Sequence, residues 1–145
     1  MNAYVPIIIG AVLPAVLWGI TAVFQKMSAS SNLGPGLYLT VFGLIICVGG
    51  VTFARITQEW AFNPRGAAYA VMAGLSFTLG TGLLSFALWK FDLPIAKVAP
   101  ILGANVLVPV LIGAVLLGAG NGLDLGRLLV GTALVLVGAA IVTSA

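Results

Sequence analysis

The polar residues of this chain are suited to hydrogen bonding and not to catalysis. The sequence contains no histidine, and its three acidic residues, Glu59, Asp92 and Asp124, lie in short polar segments between long apolar stretches. A metal site needs a cluster of His, Cys or carboxylate ligands, and a catalytic nucleophile needs a neighbouring base. The six Lys and Arg residues are scattered and form no basic stripe that would bind nucleic acid. We therefore predict a protein that is not an enzyme, has no metal or other cofactor and binds no nucleic acid.

Polar side chains in the first and third apolar stretches recur at helical spacing. In the first stretch, steps of four, three and four residues place a proline, a tryptophan, a threonine and a glutamine on one helical face. In the third stretch, two threonines and a serine form a polar edge. The side chains are Pro14, Trp18, Thr21 and Gln25 in the first stretch and Thr78, Thr81 and Ser85 in the third. Such faces either pack against another helix or line a cavity, and both interpretations stay open.

The fourth apolar stretch brings polar groups to membrane depth. Each proline removes one backbone donor, so Pro100 leaves the carbonyl of Ala96 unpaired, and Pro109 leaves that of Asn105 unpaired. We interpret both prolines as helix hinges. Asn105 either bonds a neighbouring helix or lines a cavity that contacts a substrate, because free polar groups at this depth must face protein or water. Lys97 either extends to the interface or meets an anionic group. The full candidate substrate cavity comprises Trp18, Thr21, Gln25, Thr78, Thr81, Ser85, Lys97 and Asn105.

The composition predicts an all-α integral membrane protein. Of the 145 residues, 61% are hydrophobic and 6% are charged, whereas soluble domains have about 25% charged residues. Five apolar stretches reach or approach the roughly 20 residues that a membrane-spanning helix needs. They lie near 5–25, 36–55, 66–89, 95–119 and 126–144. The short connections leave no room for a soluble domain, so we predict one transmembrane domain over 1–145 in a bacterial-type inner membrane.

Glycines in two of these stretches are spaced for close contact between helices. Gly74 and Gly82 are separated by two steps of four residues, and Gly131 and Gly138 lie seven residues apart. Small residues on one helical face let a second helix approach closely. We predict that these four glycines pack against helices, either inside one subunit or between two.

The positive charges divide equally between the two sides of the predicted membrane. Three cations fall on the side of the N-terminus and three on the other side, namely Arg55, Arg65 and Arg127 against Lys26, Lys90 and Lys97. Because an excess of Lys and Arg in cytoplasmic loops sets orientation, an even division favours insertion in both orientations. Two copies in opposite orientations would have the inverted symmetry on which many transporters are built. We therefore predict an antiparallel dimer, of this chain with itself or with a paralogue.

Three segments resemble the single-domain EamA-like proteins of the drug/metabolite transporter superfamily. Leu17 to Lys26 is similar to that family's first helix, and Leu93 to Ile101, with its Val-x-Pro, is similar to the entry of its fourth. Leu123 to Val142 resembles the last helix, and glycines spaced like Gly131 and Gly138 contribute to dimer contact in the related small multidrug resistance transporters. The resemblance implies a five-helix half-transporter that needs an inverted partner.

The chain departs from these families at positions where the relatives have charged residues. Ala119 stands where a Glu usually follows a Leu-Gly pair, and Leu102 and Gly103 stand where some relatives have Asp-Lys. No acid lies inside a predicted span, so proton-coupled export of a cationic drug is not expected. We predict alternating-access transport of a small neutral or anionic metabolite. Two alternatives stay open: a non-transporting scaffold subunit of a larger membrane complex, and a component of a flippase for lipid-linked substrates.

Overall fold

All secondary structure in the described part of the chain is helical. The structure is a computed structural model that describes residues 4–103, 105, 108–110, 112 and 125–144. By its internal contacts the chain divides into two compact units, Met1–Asp92 and Leu93–Ala145. The first unit contains the helices α1 (Tyr4–Ser30), α2 (Pro35–Thr57) and α3 (Pro64–Lys90). The second unit contains α4 (Ile95–Gly103) and α5 (Leu125–Ser144). The predicted all-α class is confirmed for these ranges.

Three of the described helices are long and apolar enough to cross a membrane. They are α1, α2 and α3, with 27, 23 and 27 residues. Each exceeds the roughly 20 residues that span the hydrocarbon core of a bilayer. In the predicted span 95–119, most residues after the end of α4 lie outside the described residues. The helix α5 coincides closely with the predicted span 126–144. Five spans and a single domain over the whole chain stay predictions.

Prolines define where the second and third helices begin. The side chain of Asn63 caps α3, since its Oδ1 accepts hydrogen bonds from the backbone N–H groups of Arg65 at 2.9 Å and Gly66 at 3.2 Å. Pro64 then occupies the first helical position, where its missing N–H removes no helical hydrogen bond. The second helix likewise begins at a proline, Pro35. For this reason both helices start one or two residues before the predicted spans.

The first helix contains a widened turn and continues past its predicted end. A π-helical turn covers Ile8–Val12 and ends two residues before Pro14. The ring of a proline clashes with the carbonyl four residues earlier, and for Pro14 that carbonyl belongs to Gly10, inside the widened turn. At the other end α1 runs to Ser30 instead of ending near residue 25. The extra turns lie against the protein, as shown by the burial of Ala29.

The third helix holds the first unit together by contacting both of its neighbours. On the α2 side, the rings of Phe42 and Phe77 stack with centroids 6.1 Å apart. A Cβ added to Gly82 would lie 3.2 Å from Cδ1 of Leu39, so the helices approach closely at this predicted packing glycine. At Gly74 an added Cβ would meet no described atom within 4 Å. The contact with α2 at these glycines is therefore made at Gly82 and not at Gly74.

We expect Gly82→Leu to destabilise the first unit and Gly74→Leu to be tolerated. Leucine raises helix propensity by the same amount at both glycines. The difference in stability between the two variants therefore measures the effect of the contact between Gly82 and Leu39. A methyl group at Gly82 meets only the flexible end of Leu39, but a leucine there overpacks the α2–α3 interface. Overpacking of this kind costs about 1–3 kcal/mol. Unfolding of the purified variants in detergent measures the difference, and equal stabilities would contradict the described α2–α3 contact.

Candidate functional site

A buried polar contact joins α1 to α3. The side-chain amide of Gln25 donates a hydrogen bond to Oγ of Ser85 at 2.7 Å and approaches the backbone carbonyl of Thr81 at 3.3 Å. Gln25 is 5% exposed and Ser85 is 3% exposed. Both residues belong to the predicted cavity, and so does Thr81. The structure therefore brings together three of the eight predicted cavity residues, from two different helices.

Apolar residues shield this contact. Leu88, one turn beyond Ser85 on α3, is 1% exposed, and Ala29, one turn beyond Gln25 on α1, is 8% exposed. With Gln25 and Ser85 they are the buried side chains of the described residues. A polar group removed from water in this way must be hydrogen-bonded to avoid a large loss of solvation. The hydrogen bond between Gln25 and Ser85 meets this requirement for both buried side chains.

An ion pair lies next to the buried contact. The ammonium group of Lys26 contacts a carboxylate oxygen of Asp92, two residues after the end of α3. The Lys26 side chain is 20% exposed and that of Asp92 is 89% exposed. Asp92 adopts a left-handed backbone conformation, with φ of 49°, as the chain leaves α3. Two contacts therefore join the C-terminal part of α1 to the C-terminal part of α3 and the residues after it. One is a hydrogen bond and the other is an ion pair.

Away from this end, the helical faces of α1 and α3 that carry Gln25 and Ser85 become exposed. Trp18 lies two turns before Gln25 on the same face of α1 and is 72% exposed. Thr78 lies two turns before Ser85 on the same face of α3 and is also exposed. Thr21 is half-buried, and its hydroxyl donates to the carbonyl of Leu17 at 2.9 Å. We use the name α1–α3 cleft for these two polar faces taken together, namely Trp18, Thr21, Gln25, Thr78, Thr81 and Ser85. The end at which Gln25 contacts Ser85 is its closed end.

The remaining predicted site residues belong to the second unit. Lys97 and Asn105 are exposed there, and Pro100 lies half-buried inside α4. Pro109 is exposed as well. Their membership of the cavity and their role as hinges stay predictions. Residues Gly131 and Gly138 lie in α5, where an added Cβ would meet no described atom within 4 Å.

The sequence pattern did not predict the ion pair between Lys26 and Asp92. A signal was present, because the end of the first apolar stretch and the end of the third lie on the same side of the predicted membrane. Opposite charges at these two ends could have been matched by topology alone. Within the described residues, no three His, Cys, Asp or Glu side chains come together as a metal site would require.

Comparison of the chain with protein-family models, with curated proteins and with solved structures found no match. The resemblance to EamA-like proteins therefore stays an expectation based on the three short segments given above.

Proposed function

We propose that this protein is an integral membrane transporter of a small neutral or anionic solute, and that the α1–α3 cleft forms part of the solute pathway. The observation that carries the proposal is the buried hydrogen bond between Gln25 and Ser85 at the closed end of the α1–α3 cleft. The polar groups farther along the same faces are exposed. The lengths and apolar composition of α1, α2 and α3 support insertion into the membrane.

The chemistry of the cleft favours an uncharged or negatively charged solute. Its polar groups are an amide, hydroxyls and an indole, all of which form hydrogen bonds without carrying charge. The described helices α1, α2 and α3 contain no Asp or Glu that could bind a cation. Lys26, one residue past Gln25, is the nearest charged group on α1, and it would attract an anion. A cationic solute would meet no compensating charge inside these three helices.

The contacts at the closed end are weak enough to break during a transport cycle. Hydrogen bonds between membrane helices contribute about 0.6 kcal/mol on average and up to about 1.7 kcal/mol. An exposed ion pair such as that of Lys26 contributes about 0–1 kcal/mol. The total is comparable to the few kcal/mol that separate interconverting states of a protein. Alternating access would then separate Gln25 from Ser85 and Lys26 from Asp92.

We propose further that two chains assemble in opposite orientations, which would complete the pathway with an inverted second half. The support is the even division of Lys and Arg between the two sides. The exposed glycines of α5 leave a surface where a partner helix could approach closely. The resemblance to half-transporters points to the same assembly.

Water access distinguishes a solute cleft from a lipid-covered helix surface. In a Cys47→Ala background, we expect Thr78→Cys to react with a membrane-impermeant thiol reagent. We expect Leu79→Cys, at the same depth but on the adjacent face, to stay unreactive. Leu79 shares an apolar helical face with Leu75 and Leu83, so the proposal places it against lipid, where a thiol does not ionise and the reagent does not enter.

Failure of both cysteine variants to react would contradict a water-filled cleft. The protein would then fit better a scaffold subunit of a larger membrane complex, and copurification with a larger partner would test that alternative. Equal reaction of both variants would show that the first unit is not embedded in lipid, and would contradict the membrane location itself.

A further inference from the structure

The two partners of the ion pair between Lys26 and Asp92 differ greatly in their exposure to solvent. The Lys26 side chain is 20% exposed, whereas the Asp92 side chain is 89% exposed. Most of the lysine is therefore withdrawn from water, while the carboxylate that contacts its ammonium group lies at the surface. Because a charge that leaves water without a partner is unfavourable, Lys26 depends on a counterion much more than Asp92 does.

Asp92 can leave this pair without disturbing a helix. It lies between the last residue of α3, Lys90, and the first residue of α4, Ile95, in a segment without regular secondary structure. Rotation of its side chain to another rotamer moves the carboxylate into the water that already surrounds most of it. Since Asp92 is at the surface, the place that its carboxylate leaves beside Lys26 is open to a solute from water.

The ion pair adjoins the closed end of the α1–α3 cleft. Lys26 directly follows Gln25, whose amide donates to Ser85. Opening of this end separates both pairs of residues, Gln25 from Ser85 and Lys26 from Asp92. An anion that takes the place of Asp92 beside Lys26 therefore removes one of the two contacts that hold this end closed.

The chemistry of the pair defines the anion that can replace Asp92. The Lys26 ammonium group carries one positive charge and donates hydrogen bonds but accepts none. A carboxylate matches that charge and accepts a charge-assisted hydrogen bond, as Asp92 does. An uncharged group would leave the ammonium group without a counterion, and a dianion would bring two negative charges to one cation. The matching ligand is a small organic acid with a single carboxylate.

We propose that Asp92 is a tethered competitor that occupies Lys26 in the empty protein, and that the solute is a small monocarboxylate that displaces it and promotes opening of the cleft. The identity of this ligand as the transported solute rests on the proposed function, whereas the exchange at Lys26 can be measured without transport. When no carboxylate is present, Asp92 returns to Lys26 and the closed end is restored, which limits leakage through the empty protein.

Binding of a simple carboxylate tests the exchange directly. The probe is propionate, and propionamide is its uncharged counterpart. Saturation-transfer NMR on the full chain in detergent micelles measures binding of both, with empty micelles as the blank. We expect Asp92→Asn to bind propionate about fivefold more tightly than the wild-type protein, because an exposed ion pair competes to about this extent. Asparagine also tolerates the left-handed backbone of Asp92, with φ of 49°. Propionamide should bind neither protein.

Matched variants separate this exchange from a general effect of charge. Glu59→Gln removes an acid from the connection between α2 and α3 and should leave propionate binding unchanged. In the Asp92→Asn background, Lys26→Gln should abolish binding, whereas Lys90→Gln should largely retain it. Unchanged affinity in Asp92→Asn, or an equal gain in Glu59→Gln, would overturn the competitor role of Asp92. Equal losses in the two lysine variants would overturn Lys26 as the binding group.

Exchanging the two charges tests the link to transport. The double variant Lys26→Glu with Asp92→Lys keeps opposite charges at the same positions but makes the less exposed charge negative. Proteoliposomes are loaded with monocarboxylates, their amides and amines of similar size. We expect the wild-type protein to release the monocarboxylates and the double variant to release the amines. Release of monocarboxylates by both proteins would overturn the role of Lys26 in selectivity. Propionate binding as expected, with no release of any solute by the wild-type protein, would contradict the transporter proposal alone.

Discussion

Replacing Gln25 with leucine is expected to reduce solute transport about tenfold while the helices stay inserted. Leucine is apolar and of similar length, so it can fill the buried position that Gln25 occupies. The variant loses the amide that donates to Ser85 and approaches Thr81. A tenfold change in rate corresponds to about 1.4 kcal/mol, which one hydrogen bond between membrane helices can supply at its upper limit.

Transport can be measured before the solute is known. Proteoliposomes are loaded with a mixture of neutral and anionic metabolites, and mass spectrometry follows which of them leave the vesicles. Thr52→Val is the control, because its hydroxyl donates to the Val48 carbonyl of its own helix at 2.9 Å and lies outside the cleft. Equal transport by Gln25→Leu and Thr52→Val would remove Gln25 from the proposed pathway.

Stability measurements separate the contact from its function. In a double-mutant cycle of Gln25→Leu and Ser85→Ala, we expect a coupling energy of about 0.6–1.7 kcal/mol. The cost of Gln25→Leu is limited because the Ser85 hydroxyl can then donate to a carbonyl of its own helix. The cost of Ser85→Ala is limited because the Gln25 amide keeps its contact with the Thr81 carbonyl. A coupling energy near zero would show that the two side chains are not bonded in the membrane, whatever the transport assay gives.

The sequence predicted the helices of the first unit well because their ends carry local signals. Apolar runs end at Arg55 and at Lys90, and the breaks contain Gly34-Pro35 and Asn63-Pro64. Both prolines begin helices, which explains the small errors at the starts of α2 and α3. The end of α1 was placed too early, because Lys26 interrupts the apolar run while its side chain pairs with Asp92 and the helix continues.

The sequence predicted the polar residues of the site but not their arrangement. Helical spacing identified Gln25 and Ser85 as members of polar faces. Hydropathy does not specify the angle and register between α1 and α3. These determine that Gln25 contacts Ser85 while Trp18 and Thr78 stay exposed. The stack of Phe42 on Phe77 likewise depends on the angle and register between α2 and α3.

If the even division of cations leads to insertion in both orientations, we expect each of two cysteine probes to react from both sides of the membrane. The structure determines where the probes can be placed. Asn63 caps α3 and Asn32 has a left-handed backbone with φ of 61°, so substitution at either position would disturb the fold. Ser30 and Ala61 are exposed and have neither role. The variants are therefore Ser30→Cys and Ala61→Cys, each in a Cys47→Ala background.

A charge-biased variant provides the control for orientation. Adding Glu59→Lys and Ala61→Lys to the Ser30→Cys protein places extra cations in the connection between α2 and α3. These cations should hold that connection in the cytoplasm, so that position 30 reacts only from outside. If the unbiased probes already react from one side each, with position 30 outside and position 61 inside, this chain cannot form an inverted dimer with itself. The partner must then be a different chain with the opposite orientation, because an inverted pathway needs both orientations in one membrane.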